Sequence, residues 1–438
     1  MTYTAFISRI TNIRPHPDPK TLRLKLGTVC NQQIVLGMPY PEEGQIGIFF
    51  PVDGRLSDQF LTANNLVGTI DPVTKERKGG FFDINGKVRA QSFRGAKSWG
   101  YWTPLVSLEF TGADLTTLAE GMTVTDLNGI KICEKYVNAR TQAAAAQNKK
   151  RPEEKVKYPL FHEHIDTAKL EYYINDLKKG DVLVITEKLH GTSGRTANTV
   201  QTRQSRIGLL INNILKRRFI QPTRSWQYVT GTRKVIKDFN NPNDYGYFGA
   251  DETFRKTAHD LFTEKLHKGE TVYYEIVGWA SETRPISSCQ NAAKIKQDKD
   301  FAKKWGTEIT FHYGCPTGTT RVYVYRITTT NEDGIETDYA WDTIKRRCSE
   351  MGVEHVPEID RFIYEGDKDQ LLSYLTDIIT DEPSTLTNAH IMEGVVVRVD
   401  GSEPLFYKIK SHAFGVLEGY LKEDNVIDLE EAQEAAEA

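Results

Sequence analysis

The segment of this chain best suited to chemistry is Thr186-Glu187-Lys188-Leu189-His190-Gly191-Thr192. The apolar run Asp181 to Glu187 reads as a strand that carries Lys188 to the lip of a sheet, and Gly191 lets the chain turn away. Lys-x-x-Gly alone recurs by chance, but four later segments change its meaning. Tyr273-Tyr274-Glu275-Ile276-Val277-Gly278 is a strand with one carboxylate. Val322-Tyr323-Val324-Tyr325-Arg326-Ile327 is a strand whose alternation puts Tyr323 and Tyr325 on one face. Met392-Glu393-Gly394-Val395-Val396-Val397-Arg398 is an acid, a glycine and a buried strand. Leu405-Phe406-Tyr407-Lys408-Ile409-Lys410 projects two lysines from one face. Paired ammonium groups on an apolar strand repel each other unless an anion lies between them, and a phosphate suits that position.

In this order the five segments resemble motifs I, III, IIIa, IV and V of the covalent nucleotidyltransferase superfamily, which comprises DNA ligases, RNA ligases and mRNA capping enzymes. The likeness spans residues 160 to 425. Glu187 to Thr192 is similar to the RNA ligase 2 branch, where histidine replaces the aspartate of the usual Lys-x-Asp-Gly, so metal–water contacts made by that aspartate elsewhere are not carried over. The resemblance implies ATP as substrate, Mg²⁺ or Mn²⁺ as cofactor, and Lys188 as the nucleophile that takes AMP. It implies Lys408 and Lys410 on the α-phosphate, and Glu275 and Glu393 on the ribose or on the metal's water shell. His190 lies beside the phosphates, Tyr325 or Tyr323 stacks on adenine, and Glu187 helps recognise it. The phosphate-binding arginine is Arg233 or Arg206, a choice the sequence leaves open.

The elements that position these residues fall in two blocks. The first 130 residues read as short strands: Thr4 to Ile13, Leu22 to Val29, Gln33 to Leu36, Gln45 to Val52, and a hairpin around Asn85-Gly86. Such punctuation with little helical periodicity suggests a small barrel. His16-Pro17-Asp18-Pro19-Lys20-Thr21-Leu22, Gly44 to Asp53 and Ser92-Phe93-Arg94-Gly95 are similar to the N-terminal OB module of an RNA ligase group that seals nicks with RNA on the 3′-OH strand. From residue 160 helices and strands mix, with helices expected at Ile165 to Leu177, Ile207 to Phe219 and Asp367 to Ile379, and strands at Tyr228 to Ile236 and Gly394 to Val399. The expected fold class is α+β: residues 1–135 an OB-type β-barrel, 136–158 a linker, 159–425 an ATP-grasp-like nucleotidyltransferase domain of antiparallel sheets flanked by helices, and 426–438 an acidic tail.

Bulk properties narrow the rest. The 438 residues exceed one comfortable core, and 39% hydrophobic with 26% charged residues is an ordinary globular balance. Five scattered cysteines without a Cys-x-x-Cys pair argue against a disulfide framework or structural zinc site. No run approaches the roughly eighteen apolar residues of a membrane span, and the N-terminus lacks signal-peptide character, so a cytoplasmic monomer is expected. Net charge is −3, but Lys149-Lys150-Arg151 and Lys216-Arg217-Arg218 are basic runs suited to a nucleic-acid backbone. His162-Glu163-His164 lacks zincin spacing. Only 28 residues follow Lys410, too few for the OB domain that follows motif V in DNA ligases and capping enzymes. The expected substrate is therefore a nicked RNA duplex or RNA–DNA hybrid with 5′-phosphate and 3′-OH ends. The alternatives are an ATP-dependent DNA nick ligase and a non-catalytic RNA-end-binding protein.

Overall fold

The computed structural model describes residues 3–19, 24–52, 54–70, 77–79, 82–93, 96–136, 156–164, 166–205, 220–241, 246–289, 301–306, 308–401 and 404–417. Arg206, the expected helix Ile207 to Phe219, nearly all of the expected linker and the acidic tail lie outside them. The fold is mixed α+β, with antiparallel sheets predominating. Two compact units are present, one on Met1–Asn138 and the other on Ala139–Glu418.

In the first unit, β1 (Ala5–Arg9), β2 (Thr11–Pro15), β3 (Lys25–Val29), β4 (Gln32–Leu36) and β5 (Ile46–Pro51) precede a short helix α1 (Asp58–Ala63). Strands β6 (Gly100–Pro104) and β7 (Thr123–Val124) complete a four-stranded antiparallel sheet in the order β6-β5-β1-β7. Strands β2, β3 and β4 form a separate three-stranded meander. Ile7, Ile48, Phe50, Phe60 and Leu108 are fully buried between sheet and helix. A Cβ on Gly47 would lie 2.4 Å from Trp102, so glycine lets that indole cross β5 and donate to the Ser8 carbonyl at 3.2 Å. The expected closed barrel is not seen among the described residues, where the strands fall into separate sheets. The hairpin at Asn85-Gly86 is a turn only. Phe82 bridges Val67 and Lys87 bridges Arg55, so the flanking segments pair elsewhere. The turn itself is packed against Leu56, whose carbonyl would stand 2.7 Å from a Cβ on Gly86.

The second unit is built on two sheets. One, in the order β8-β16-β15-β9-β14, joins β8 (Ala168–Lys169), β9 (Val182–Lys188), β14 (Glu358–Ile363), β15 (Gly394–Val399) and β16 (Leu405–Lys410). The other is centred on the long strands β10 (Thr192–Arg203), β12 (Glu270–Ser281) and β13 (Thr320–Thr330), with β11 (Thr223–Gly231) paired to β10. Helices α2 (Thr253–Phe262) and α3 (Trp341–Met351) pack on the second sheet, and α4 (Lys368–Asp377) packs on the first. Strand β9 divides the two cores. Leu183 and Ile185 join the cluster of Leu371, Val395 and Val397, whereas Val184 joins that of Phe262 and Trp341. A strand buried on both faces reads as the continuous apolar run seen in the sequence.

Two expectations change here. Ile165 to Leu177 is not one helix: Ala168 and Lys169 pair in parallel with Tyr407 and Lys408, leaving an α-helical turn at Leu170–Tyr173 and a 3-10 turn at Ile174–Asp176. Sheet pairing overrides the helical spacing. Strand β11 ends at Gly231, and Thr232 N–H bonds the Val235 carbonyl at 2.8 Å, so Arg233 sits in a tight turn and not on the strand.

Arg347 on α3 clamps Glu270 at the head of β12 through two hydrogen bonds of 2.8 Å, both residues being buried. Removing one partner of a buried pair strands a charge. Arg347→Ala should lower the unfolding free energy by about 3–5 kcal/mol, read by urea denaturation; a loss near zero would show that Glu270 finds another partner.

Candidate active site

Three strands align the central residues. Lys188 at the end of β9 faces Gly394 at the start of β15, and Gly394 faces Lys410 at the end of β16. A Cβ on Gly394 would meet the Ile409 carbonyl at 2.2 Å and Lys410 Cα at 2.7 Å, so only glycine permits this approach. Glu393, fully buried, rises between the two lysines. Its Oε1 lies 2.8 Å from Lys188 Nζ and 3.0 Å from Lys410 Nζ, and its Oε2 lies 3.7 Å from His190 Nδ1. Lys408 occupies the next row of the same strand face, flanked by Lys169 on β8. Two partly exposed ammonium groups thus share one buried carboxylate oxygen. Such an arrangement attracts an anion.

The turn after Lys188 is held from several directions. His190 N–H donates to the Tyr313 hydroxyl at 2.6 Å, and Gly191 N–H donates to Glu275 Oε1 at 3.0 Å. Arg255 on α2 donates to Thr192 Oγ1 at 2.8 Å and to the Ser193 carbonyl at 3.1 Å. A Cβ on Gly191 would stand 2.2 Å from the Ile276 carbonyl, so the glycine answers to close packing against β12. The His190 ring lies edge-on to Phe311 and Phe414, with centroids at 4.9 and 4.8 Å. Burial, together with Glu187 and Glu393, raises the Tyr313 hydroxyl well above its ordinary range, so it stays a neutral acceptor. Behind it, Tyr313 N–H donates to His390 Nε2 at 3.2 Å and His390 Nδ1 faces the Ile391 carbonyl at 3.0 Å, which assigns the proton to Nδ1. Burial depresses His390 to about 4.

The structure therefore brings together Lys188, His190, Glu393 and Lys410, with Lys408 one row away and Glu275 bonded to Gly191. Others stand apart. Glu187 alternates to the other face of β9 from Lys188. Its Oε2 accepts from Thr385 N–H at 3.0 Å and from the Thr385 hydroxyl, while its buried Oε1 has no partner. Burial raises its carboxyl above the usual range, Ser384 and Thr385 opposing the shift. Arg233 pairs closely with Asp166. Tyr323 and Tyr325 do not share an environment. Tyr273 pairs with Arg326 and Tyr274 with Val324, which leaves Tyr325 as an extra residue in the ladder and breaks the alternation there. Tyr323 is buried, whereas Tyr325 is half-buried with its ring edge-on to His164 at 5.6 Å. Sequence reasoning passed over Tyr313, Arg255 and Arg195. The first two act through contacts between distant segments that no local pattern announces. Arg195 had no local signal either, since its burial on β10 follows from pairing with β12.

The family model for RNA ligase matches residues 181–410, just over half of the chain and the whole stretch from β9 to β16. The chain belongs to the RNA ligase family. No curated protein sequence matches it. Solved structures of Naegleria gruberi RNA ligase share the fold. A lysine-to-alanine mutant with ATP and Mn aligns at 15% identity over 96% of this chain and 98% of that one, with a TM-score of 0.55. A glutamate-to-alanine mutant with ATP and Mn aligns at 16% identity over 94% and 97%, with a TM-score of 0.56. A lysine-to-methionine mutant with AMP and Mn aligns at 14% over the same shares, also with a TM-score of 0.56. No helix among the described residues of this ligase is long and apolar enough to cross a membrane.

Two outcomes test this site. Gly394→Ala should push the Lys188 and Lys410 strands apart and cost about 1–3 kcal/mol of stability, seen by urea denaturation and in a crystal structure. His390 is depressed to about 4 in the fold from an ordinary 6.5, so the unfolded chain binds the proton first. The stabilisation is whole above pH 6.5 and is lost as pH falls towards 4, by roughly 3 kcal/mol. Urea midpoints across that range should show a shallower decline in His390→Phe; parallel profiles for the two proteins would contradict the neutral imidazole.

Proposed function

We propose that this RNA ligase is ATP-dependent, attaches AMP to Lys188, passes it to a 5′-phosphate end and joins that end to a 3′-OH, with RNA on the 3′-OH strand of a nick. The observation that carries this reading is the Lys188–Glu393–Lys410 triad with Lys408 beside it. It is a primary amine that shares one buried carboxylate oxygen with a second lysine. The Naegleria structures with ATP, AMP and Mn support the choice of nucleotide and metal.

Lys188 Nζ attacks the α-phosphorus, a P–N bond forms, and the bond to the β-phosphate oxygen breaks with its electron pair leaving on pyrophosphate. The amine must first lose a proton, and Glu393, 2.8 Å from Nζ, is our assigned acceptor. Lys410 then turns from the carboxylate to the α-phosphate oxygens, and with Lys408 it neutralises charge that grows in the transition state. His190, fixed between two phenylalanine rings, orients the departing phosphates. Tyr325 is our adenine-stacking ring, and Glu187, just before the nucleophile, contributes to adenine recognition through the Thr385 turn it holds. In the second step a 5′-phosphate oxygen displaces Lys188 from the adenylate phosphorus. In the third the 3′-OH attacks the activated 5′-phosphorus and AMP leaves.

Among the described residues no three metal-ligating side chains gather. The donor set fits a Mg²⁺ or Mn²⁺ ion carried by substrate phosphates and water, with Glu275 and Glu393 beyond the water. Such an ion would offset charge on the leaving pyrophosphate. We assign residues 1–135 to an OB-type nucleic-acid-binding module and residues 159–425 to the adenylyltransferase domain of a cytoplasmic monomer.

Incubation with α-labelled ATP should leave label on the protein, and Lys188→Ala and Lys188→Arg should leave none. Full labelling of Lys188→Ala would overturn the assignment. Nicks with RNA at the 3′-OH should seal faster than all-DNA nicks; the reverse order would make this a DNA ligase.

A further inference from the structure

The turn after the nucleophile is three buried residues, Leu189-His190-Gly191, between the end of β9 and the start of β10. Its backbone groups are answered by side chains from distant segments. Gly191 N–H goes to Glu275, the Gly191 carbonyl accepts from Ser287 Oγ at 3.2 Å, and His190 N–H goes to Tyr313 Oη at 2.6 Å. The steps assigned above make no use of Tyr313.

Tyr313 is fully buried and sits at φ +49, followed by Gly314 at φ +73. A bulky side chain seldom occupies that left-handed region, and one persists there when its surroundings over-determine it. Here they do. Tyr313 N–H donates to His390 Nε2 at 3.2 Å, and the two rings stand edge-on at 4.5 Å. Two residues earlier, Phe311 N–H bonds the Ser287 carbonyl at 3.0 Å. His390 lies on the strand Thr387–Ile391, three residues before Glu393. One tyrosine therefore touches both the backbone that follows Lys188 and the segment that leads to Glu393.

Packing alone needs only the ring, which phenylalanine would supply. The hydroxyl adds an acceptor for the His190 N–H, and Glu187, Glu393 and Glu275 are all near enough to act on it. His190 is two residues from Lys188, so a shift of its peptide passes to both side chains that face Glu393. A nucleophile tolerates little slack, since a misplacement of about 1 Å can cost about a hundredfold in rate.

Resting on the ligase reading above, we propose that Tyr313 is a positioning residue: its hydroxyl, by accepting the His190 N–H, sets where Lys188 and His190 stand against Glu393, and so serves the joining of AMP to Lys188 more than the sealing of RNA. Tyr313 itself gains and loses no proton.

The test uses full-length Tyr313→Phe with two readouts. One is the rate of lysyl-AMP formation from α-labelled ATP across ATP concentrations. The other is the sealing of RNA supplied already adenylated at its 5′ end, in which no bond to Lys188 forms or breaks. The ratio of the first rate, at saturating ATP, to the second should fall roughly tenfold or more, with the half-saturating ATP concentration within about threefold of the unaltered protein's. Equal losses in both readouts, no loss in either, or a loss carried by the half-saturating concentration alone would overturn the proposal and leave the Lys188 reading intact. Absence of lysyl-AMP in the unaltered protein would sink that reading instead. Should Tyr313→Phe fail to fold, 3-fluorotyrosine placed at position 313 decides, because it keeps the hydroxyl and the ring while weakening the oxygen as an acceptor. The same ratio should then fall by roughly threefold, and an unchanged ratio would overturn the proposal.

Discussion

Everything in the second unit is arranged so that two lysines can share one buried carboxylate oxygen. Glu393 is fully buried, and the lysines that flank it are held within 3.0 Å of the same atom. As a contribution to stability this is poor design, because desolvating three charged groups offsets most of the attraction among them. A phosphate oxyanion is a ligand that two such ammonium groups can both bind. The interaction makes sense as a binding site held half-filled.

The geometry of that triad is a matter of strand register. Lys188, Gly394 and Lys410 stand opposite one another across three antiparallel strands, and a slip of one residue on any of them would turn a lysine to the wrong face. Register is enforced by the core on either side of β9, where Leu183 and Ile185 face one cluster and Val184 the other. Gly394 contributes by having no side chain, which lets the backbone of β16 come close enough for Lys410 to reach Glu393. The second sheet enters through the turn after Lys188, since Gly191 N–H is bonded to Glu275 and the Thr192 hydroxyl to Arg255. The site is therefore assembled where the two sheets of this unit meet.

Much of this was legible from residue order, because the triad residues lie at strand ends. Alternation survives the passage from sequence to structure at Lys188 and Lys410, and so do the glycines that follow Lys188 and Glu393. What failed to survive was local reading where a distant partner decides. Ala168 and Lys169 leave their helical pattern for a parallel partner on β16, and the ladder around Tyr325 carries one residue more than its neighbour. Asn85-Gly86 makes its turn, but its flanks bridge to other segments. The barrel expected from the strand-rich N-terminal part depended on pairings between remote strands, and those among the described residues fall into separate sheets.

Arg195 and the lysine triad share a physical character that sets them apart from the molecule's other buried charges. Arg347 with Glu270 and Arg326 with Asp338 are complete, with every charge answered by its opposite, and they hold elements together. Glu187 Oε1 and Arg195 Nη1 are buried polar atoms without a partner, and Glu393 Oε1 serves two cations at once. Glu187 and Arg195 lie on the two strands that flank the Lys-x-x-Gly turn. A ligand that supplies the missing donor and acceptors binds the folded chain alone, so its free energy of binding adds to the stability of the fold.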